Sequence, residues 1–399
     1  MTNTLQGYPR TDGRKGIRNV LVVAYLVECA HHVAREIAAP FRERSVHLIG
    51  FPGCYPNAYA LAMMEKLCTH PNVGGVLLVS LGCEGFNKRQ LGQTVEVSGR
   101  PVLTMGIQAT GGTQKTIAAG REWVAATLPA LAAQPPVPMG IDELTVGTIC
   151  GGSDATSGLT ANPAMGVAFD LLVKGGAKTI FEETGELIGM EHLMAARAAS
   201  PALGAALKDS VAKAARYYAT LGYASFAPGN ADGGLTTIEE KSLGAYAKSG
   251  QSTIDGIIKP GIEPPRKGLY LLDVVPDGDV RFGFPNINDN AEIAELIACG
   301  SHVILFSTGR GSVVGSAIAP VIKVCANPET WKRMEDDMDV DAGRILEGRS
   351  TLPEVGREIF DLVQRVGSGA PTKSEALGHQ EFILTYKSFE PLGPACLPA

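Results

Sequence analysis

VLVVAYLV, from Val20 to Val27, is a short, valine-rich apolar run without a polar face. Such a run reads as a strand buried on both sides, the habit of parallel sheets. Outward from it the chain alternates. Glu28–Ala39 has helical spacing, Val46–Gly50 is a second strand and Ala58–Cys68 a second helix. Val73–Leu81 is again a continuous apolar run, Asn87–Val97 is helical, Val102–Met105 extended and Thr113–Leu128 helical. This alternation predicts a doubly wound, Rossmann-like α/β domain over residues 1–135.

AAQPPVP, Ala132 to Pro138, reads as a linker. A second α/β segment is expected over 142–265, starting with strand Leu144–Ile149 and carrying helices near Pro163–Lys174, Gly185–Arg197 and Ala202–Leu221. A polar, glycine-rich segment, Ala227 to Gly256, separates it from a third α/β part over 266–399. That part holds strands Gly268–Val274 and His302–Phe306 and helices Ala291–Ala298 and Leu352–Val366. The fold class is therefore a multi-domain α/β protein with parallel sheets.

The chain has 399 residues, 45% of them hydrophobic and 6% aromatic, which suits a soluble, loop-rich α/β fold. A net charge of -6 argues against a duplex nucleic-acid binder, which carries a basic face. Met1 to Tyr8 shows no apolar signal core, and no run is long enough to span a bilayer, so a cytoplasmic protein is expected. Eight cysteines in such a chain point to core residues, metal ligands or reactive thiols rather than a disulfide framework.

Cys29, Cys54 and Cys83 fall just after successive strands of the first domain, and Cys150 ends the first strand of the second. In open parallel sheets the ligand crevice lies at these carboxyl ends. Thiols there suit a soft metal site: ferrous iron, zinc or an iron–sulfur cluster. Ordinary buried cysteine is the plain alternative. GYPRTDGRKGIRN (Gly7–Asn19) sets Arg10, Asp12, Arg14, Lys15 and Arg18 before the first strand, either as an anion-binding arm or as a salt-bridged surface. CGGSDATSGLTANPA (Cys150–Ala164) is a strand-to-helix loop whose amides, with Ser153, Ser157 and Asn162, can cradle an anion. Asp154 in it is an orienting group, a cap or a ligand. FEETGELIGMEH (Phe181–His192) clusters Glu182, Glu183, Glu186 and Glu191, with Glu183 and Glu186 on one face if a helix starts there. Asn230, Lys241 and Lys248 lie in the glycine-rich segment, and Arg310 sits between two glycines in STGRGS. Nucleotide-binding and common hydrolase signatures are missing from the sequence.

Together the blocks GYPRTDGRKGIRN, SLGCEG, CGGSDATSGLTANPA, ETGELIGMEH, PGNADGGLTTIEEKSLG, STGRGS and DMDVDAG resemble the altronate and galactarate dehydratase family and its sulfolactate-cleaving relatives. The resemblance runs nearly the length of the chain, in family order. It implies a lyase that eliminates a β-substituent from a 2-hydroxy acid with help from a metal, iron being the usual one. It implies Cys29, Cys54, Cys83 and Cys150 as metal ligands, and Glu183, Lys241 and Asp154 as candidate catalytic groups. Arg14, Asn19, Ser153, Ser157, Asn162, Asn230, Arg281 and Arg310 become the candidate substrate contacts. A separate small β-rich partner subunit and an oligomer are expected by the same resemblance.

Two departures redirect the substrate. Gly50–Asn57 (GFPGCYPN) stands where the sugar-acid dehydratases resemble one another in a His-containing block. Val274–Asn290 (VVPDGDVRFGFPNINDN) replaces a short glycine-rich turn. Losing a histidine and gaining Arg281 favours a short sulfonated acid, (2R)-3-sulfolactate, over a sugar acid. A sugar-acid dehydratase, or a non-catalytic subunit that binds a metal or acid, are the alternatives.

Overall fold

The computed structural model describes residues 4–221, 228–278 and 288–385. The strands in chain order are β1 (Leu5–Pro9), β2 (Lys15–Gly16), β3 (Val20–Tyr25), β4 (Val46–Gly50), β5 (Val73–Ser80), β6 (Val102–Gly106), β7 (Val137–Met139), β8 (Thr145–Cys150), β9 (Lys178–Phe181), β10 (Ile254–Ile258), β11 (Gly268–Leu272), β12 (Val303–Thr308), β13 (Val321–Cys325) and β14 (Val340–Asp341). They form a four-stranded sheet, β4-β3-β5-β6, and a seven-stranded sheet, β10-β11-β9-β8-β12-β13-β14. Every pairing in these two sheets is parallel. The fold is α/β with two parallel sheets, as the apolar runs predict. In β5, β8, β11, β12 and β13 every residue is buried, because helices cover both faces.

The helix starts are written in side chains. Asn57, Asn87, Thr237 and Asn288 each accept a hydrogen bond from an amide of the first turn, satisfying groups the helix leaves unpaired. Thr351 and Glu354 form a reciprocal capping box at the helix Leu352–Gly367. No helix among the described residues is long and apolar enough to cross a membrane.

The structure corrects the sequence reading in three places. Segments 142–265 and 266–399 do not hold separate sheets. β11 inserts between β9 and β10, and β12 pairs with β8, so one sheet joins both segments. AAQPPVP is not a free linker: the preceding helix runs to Ala133, and Val137–Met139 pairs antiparallel with β1. The glycine-rich segment carries helices Pro228–Asp232 and Ile238–Ala247. Between the two parallel sheets the core is shared. One apolar cluster unites Val22, Ile49 and Met64 of the first domain with Ile149, Leu296 and Phe306 of the second.

Candidate active site

β8 is the first strand of the large sheet and lies near its middle. From it the chain leaves first toward β9 and later toward β12, so the strand order reverses between β8 and β12. Ligand crevices form at such switch points, outside the carboxyl ends. Cys150 ends β8 directly beside Ser307 of β12, and Glu183 follows β9.

Glu183 is held at φ 77°, ψ 51°, the left-handed region that a side chain of this size rarely adopts. Such strain persists where surrounding contacts over-determine it, which is the pattern of working sites. Here the contacts are plain. The Cys150 amide donates to Glu183 Oε2 at 3.1 Å and the Cys150 thiol to Glu183 Oε1 at 3.1 Å. Lys248 Nζ also pairs with Glu183. A tight turn, Thr184–Leu187, then brings Glu186 back to the same thiol, at 3.3 Å. Lys241, from the helix Ile238–Ala247, pairs with Glu186 and donates to Cys150 Sγ at 3.0 Å. Lys241, Lys248, Glu183 and Cys150 are all buried.

Burial, then the charge of Glu186, push the Glu183 carboxyl up to about 7, against the pull of Lys248 and Lys241. Burial pushes Glu186 the same way, but Lys241 and Lys248 outweigh it and hold it below the ordinary carboxylate value. Burial works against both lysine charges; the Cys150 sulfur and the carboxylates overcome it and hold both lysines above their usual value. Burial, with Glu183 and Glu186 beside it, pushes the Cys150 thiol far up, so it stays an S–H donor. The group is thus a proton-transfer constellation: one carboxyl poised near neutrality, flanked by two fixed ammonium charges.

Asp289, first residue of the helix Asp289–Ala298, belongs to this neighbourhood. Its Oδ2 lies 3.1 Å from where a Cβ on Gly151 would stand. Burial and then Glu186 raise it to about 6. Sequence reading passed over Asp289 although it lies within Val274–Asn290, because attention there went to Arg281. Lys248 and Glu186 were visible as polar residues in their blocks, but nothing local marks them as partners of Cys150.

The other sequence candidates divide by location. Ser153 Oγ lies 3.8 Å from Cys150 Sγ, and its amide donates to the buried Asn230 Oδ1 at 2.9 Å. Arg310 is exposed on the rim, its stem against Gly152. Asp154 works as a staple: Oδ1 accepts from the Thr156 amide and hydroxyl, and Oδ2 from Asn327 at 2.7 Å. Ser157 joins that staple, and Asn162 accepts from Ser307. The loop amides expected to cradle an anion are largely spent internally: those of Gly151, Ser153, Asp154, Ala155 and Thr156 already donate to protein acceptors. Arg14 is engaged with Asp12, Glu263 and the Thr69 carbonyl, and Asn19 Nδ2 donates to Leu131 O and Gln134. Both tie the N-terminal arm down rather than reach the buried cluster. Arg281 lies outside the described residues.

Cys150, Glu183 and Glu186 place donor atoms within 4.8 Å of one another, close enough for a metal ion. As arranged, two ammonium groups already neutralise them and the sulfur keeps its proton. A thiol must lose that proton to ligate, and a divalent ion would meet two positive neighbours. Cys150, Glu183 and Glu186 are thus the residues that would hold a divalent metal, once the thiol gives up its proton. Cys29, Cys54 and Cys83 stand on the other parallel sheet and are exposed.

Comparison with known proteins places the chain as a whole among named relatives. The family model of the D-galactarate/altronate dehydratase C-terminal part matches residues 141–389, and that of the second domain of D-galactarate dehydratase/altronate hydrolase matches 7–132. The (2R)-sulfolactate sulfo-lyase subunit beta of Chromohalobacter salexigens is 33% identical, over 96% of this chain and 97% of its own. The galactarate dehydratase (L-threo-forming) of Escherichia coli is 32% identical, over 92% of this chain and 73% of its own. The altronate dehydratase of the same organism is 29% identical, over 95% and 77%. All three names are those of lyases, and the gap between the two family models holds β7, Val137–Met139. The chain belongs to the D-galactarate/altronate dehydratase family of lyases.

Proposed function

We propose that this chain is the catalytic large subunit of a lyase that eliminates the β-substituent of a small 2-hydroxy acid, with (2R)-3-sulfolactate the favoured substrate. The observation that carries it is Glu183, a buried carboxyl raised to about 7 between two lysines at a sheet switch point. The sulfo-lyase subunit, matched over 97% of its length, supports the sulfonated substrate and a separate partner subunit.

In this reading Glu183 removes the proton on the carbon next to the substrate carboxylate. The electron pair left behind forms the carbon–carbon double bond, the β carbon–sulfur bond breaks, and sulfite leaves with its pair. The enol then takes a proton at the β carbon and becomes pyruvate. Lys241 and Lys248 are charged, so they serve as fixed positive partners for the carboxylate and the developing enediolate, not as bases. Asp289 and the Cys150 thiol are the remaining proton carriers. Bisulfite leaves with little acid assistance, which suits a pocket whose strongest acids are ammonium groups. Iron would supply Lewis-acid stabilisation of the enediolate; no step here is assigned to it.

The test is direct. Purified chain with its small subunit, given (2R)-3-sulfolactate, is expected to release pyruvate and sulfite in equal amounts, read by a lactate-dehydrogenase-coupled assay and a sulfite assay. Turnover of altronate or galactarate, with no sulfite from sulfolactate, would assign the chain to sugar-acid dehydration instead.

A further inference from the structure

The long helix Pro201–Leu221 supplies none of the groups around Cys150, yet its later half is fixed to the carboxyl ends of the same sheet. Lys213 Nζ donates to Asp273 Oδ2 at 2.6 Å, to Val275 O at 2.8 Å and to Asp277 Oδ1 at 2.8 Å. Lys259, just past β10, donates to the same two carboxylates at 2.8 and 2.9 Å. Asp273 is buried and follows β11 directly. Two ammonium groups shared between two carboxylates form a network rather than a lone surface pair, so they hold the helix in one place.

Tyr218 stands little more than one turn further along this helix. Its ring meets that of the buried Tyr217 edge-on, with centroids 5.6 Å apart. It also presses on Gly185. A Cβ added to Gly185 would stand 2.1 Å from Tyr218 Cε2, 2.6 Å from Cζ and 2.7 Å from the hydroxyl oxygen. Gly185 has no left-handed φ, so the ring, not the backbone angle, demands a glycine there. Gly185 belongs to the turn Thr184–Leu187, which joins Glu183 to Glu186. The phenol end of Tyr218 therefore rests on the short turn that sets both carboxyls beside Cys150.

Tyr218 is half-buried, and its hydroxyl has no hydrogen-bond partner among the described residues. Burial first, then the carboxylates of Glu292, Glu186 and Glu182, hold its proton above the ordinary phenol value. A phenol is in any case uncharged at neutral pH.

In the elimination proposed above, Glu183 takes the proton from the carbon beside the substrate carboxylate. That carbon lies within hydrogen-bond reach of Glu183, so the carboxylate and hydroxyl bonded to it lie close to the same turn. Negative charge builds on those oxygens as the proton leaves, and donors fixed beforehand stabilise it. A third ammonium group there would pull the Glu183 carboxyl down, as Lys248 and Lys241 already do, and weaken the base. A phenol O–H gives a hydrogen bond without adding charge. On the side of Glu182, Glu186 and Glu292 it is a donor that an anionic acid can meet.

We propose that Tyr218 is a further catalytic residue, whose phenol O–H donates a hydrogen bond to the oxygens of the bound 2-hydroxy acid that become the enediolate. This role rests on the elimination proposed above. The phenol keeps its proton throughout, and the proton taken from carbon stays with Glu183.

Y218F keeps the ring on Gly185 and removes only the hydroxyl. The experiment assays wild type and Y218F, each with the partner subunit, on (2R)-3-sulfolactate, altronate and galactarate. On the acid that wild type turns over, Y218F is expected to lose about 10²–10³ in kcat. KM is expected to change little, as for a contact made in the transition state, with Tm and the acid limb of the pH–rate profile unmoved. A raised KM at full kcat, a loss matched by a lowered Tm, or a shifted limb overturns the proposal in favour of binding, packing or tuning of Glu183 respectively. Full activity in Y218F overturns it too and leaves the elimination standing. Wild type inert toward all three acids overturns the elimination and this role with it.

Discussion

At the scale of residues, the decisive feature is one carboxyl with a displaced titration. In its proposed role as general base Glu183 must be ionised, so kcat/KM is expected to fall as pH drops through about 7 and to level off above it. Its effect on stability has the sign of a raised group: the contribution is full below the ordinary glutamate value and is lost as pH rises through about 7. E183Q is expected to lower kcat by about 10²–10⁴ and to remove that alkaline loss of stability, measured as Tm against pH. K248M leaves the Glu183 charge buried without its partner and is expected to cost about 3–5 kcal/mol. It also moves the limb of the pH–rate profile to higher pH; an unmoved limb would separate Lys248 from Glu183 function.

At this scale the sequence disclosed types and neighbourhoods but not partnerships. Cys150, Glu183 and Lys241 were each visible in a polar block. Their meeting depends on the order of strands β8, β9 and β12 and on a helix that arrives from far along the chain, none of which leaves a local mark. Asp154 shows the converse. A conspicuous acid in a glycine-rich loop turns out to spend both oxygens on Thr156, Ser157 and Asn327. The basic arm takes the salt-bridged alternative, since Arg10, Arg14 and Arg18 are engaged by carbonyls and carboxylates of the protein itself.

At the scale of elements, close packing positions the lysines. The helix Ala161–Lys174 meets the end of the lysine-bearing helix at Gly166, where an added Cβ would stand 2.3 Å from the Ala247 carbonyl and 3.1 Å from Gly250 Cα. G166A must therefore push away the segment that carries Lys248. It is expected to cost about 1–3 kcal/mol and to lower kcat as well, whereas a change that only loosens the core would lower Tm alone. Long elements were legible because their periodicity is their own: Val46–Gly50 and Ala58–Cys68 match the sequence reading end to end. Short ones were not. β7, β9 and β14 draw their identity from neighbours, since a strand of so few residues is defined by what it pairs with.

At the scale of the whole molecule, the shared apolar cluster makes the two parallel sheets interdependent. Val22 and Ile49 of the first domain pack in the same core as Ile149 and Phe306 of the second. Calorimetry of the full chain is expected to show a single cooperative transition, and a fragment of residues 1–135 to expose apolar surface and bind a hydrophobic dye. Two separate transitions would mean that the domains hold independent cores.

The N-terminal arm carries a consequence for how the protein is made. β1 pairs with β7, and Arg18 reaches across to Glu375 and the carbonyl of Ala370. On the ribosome β1 can dock once β7 has emerged, but Arg18 must wait for Ala370 and Glu375. A chain stalled before residue 370 leaves its N-terminal arm held by β7 alone, without this second latch.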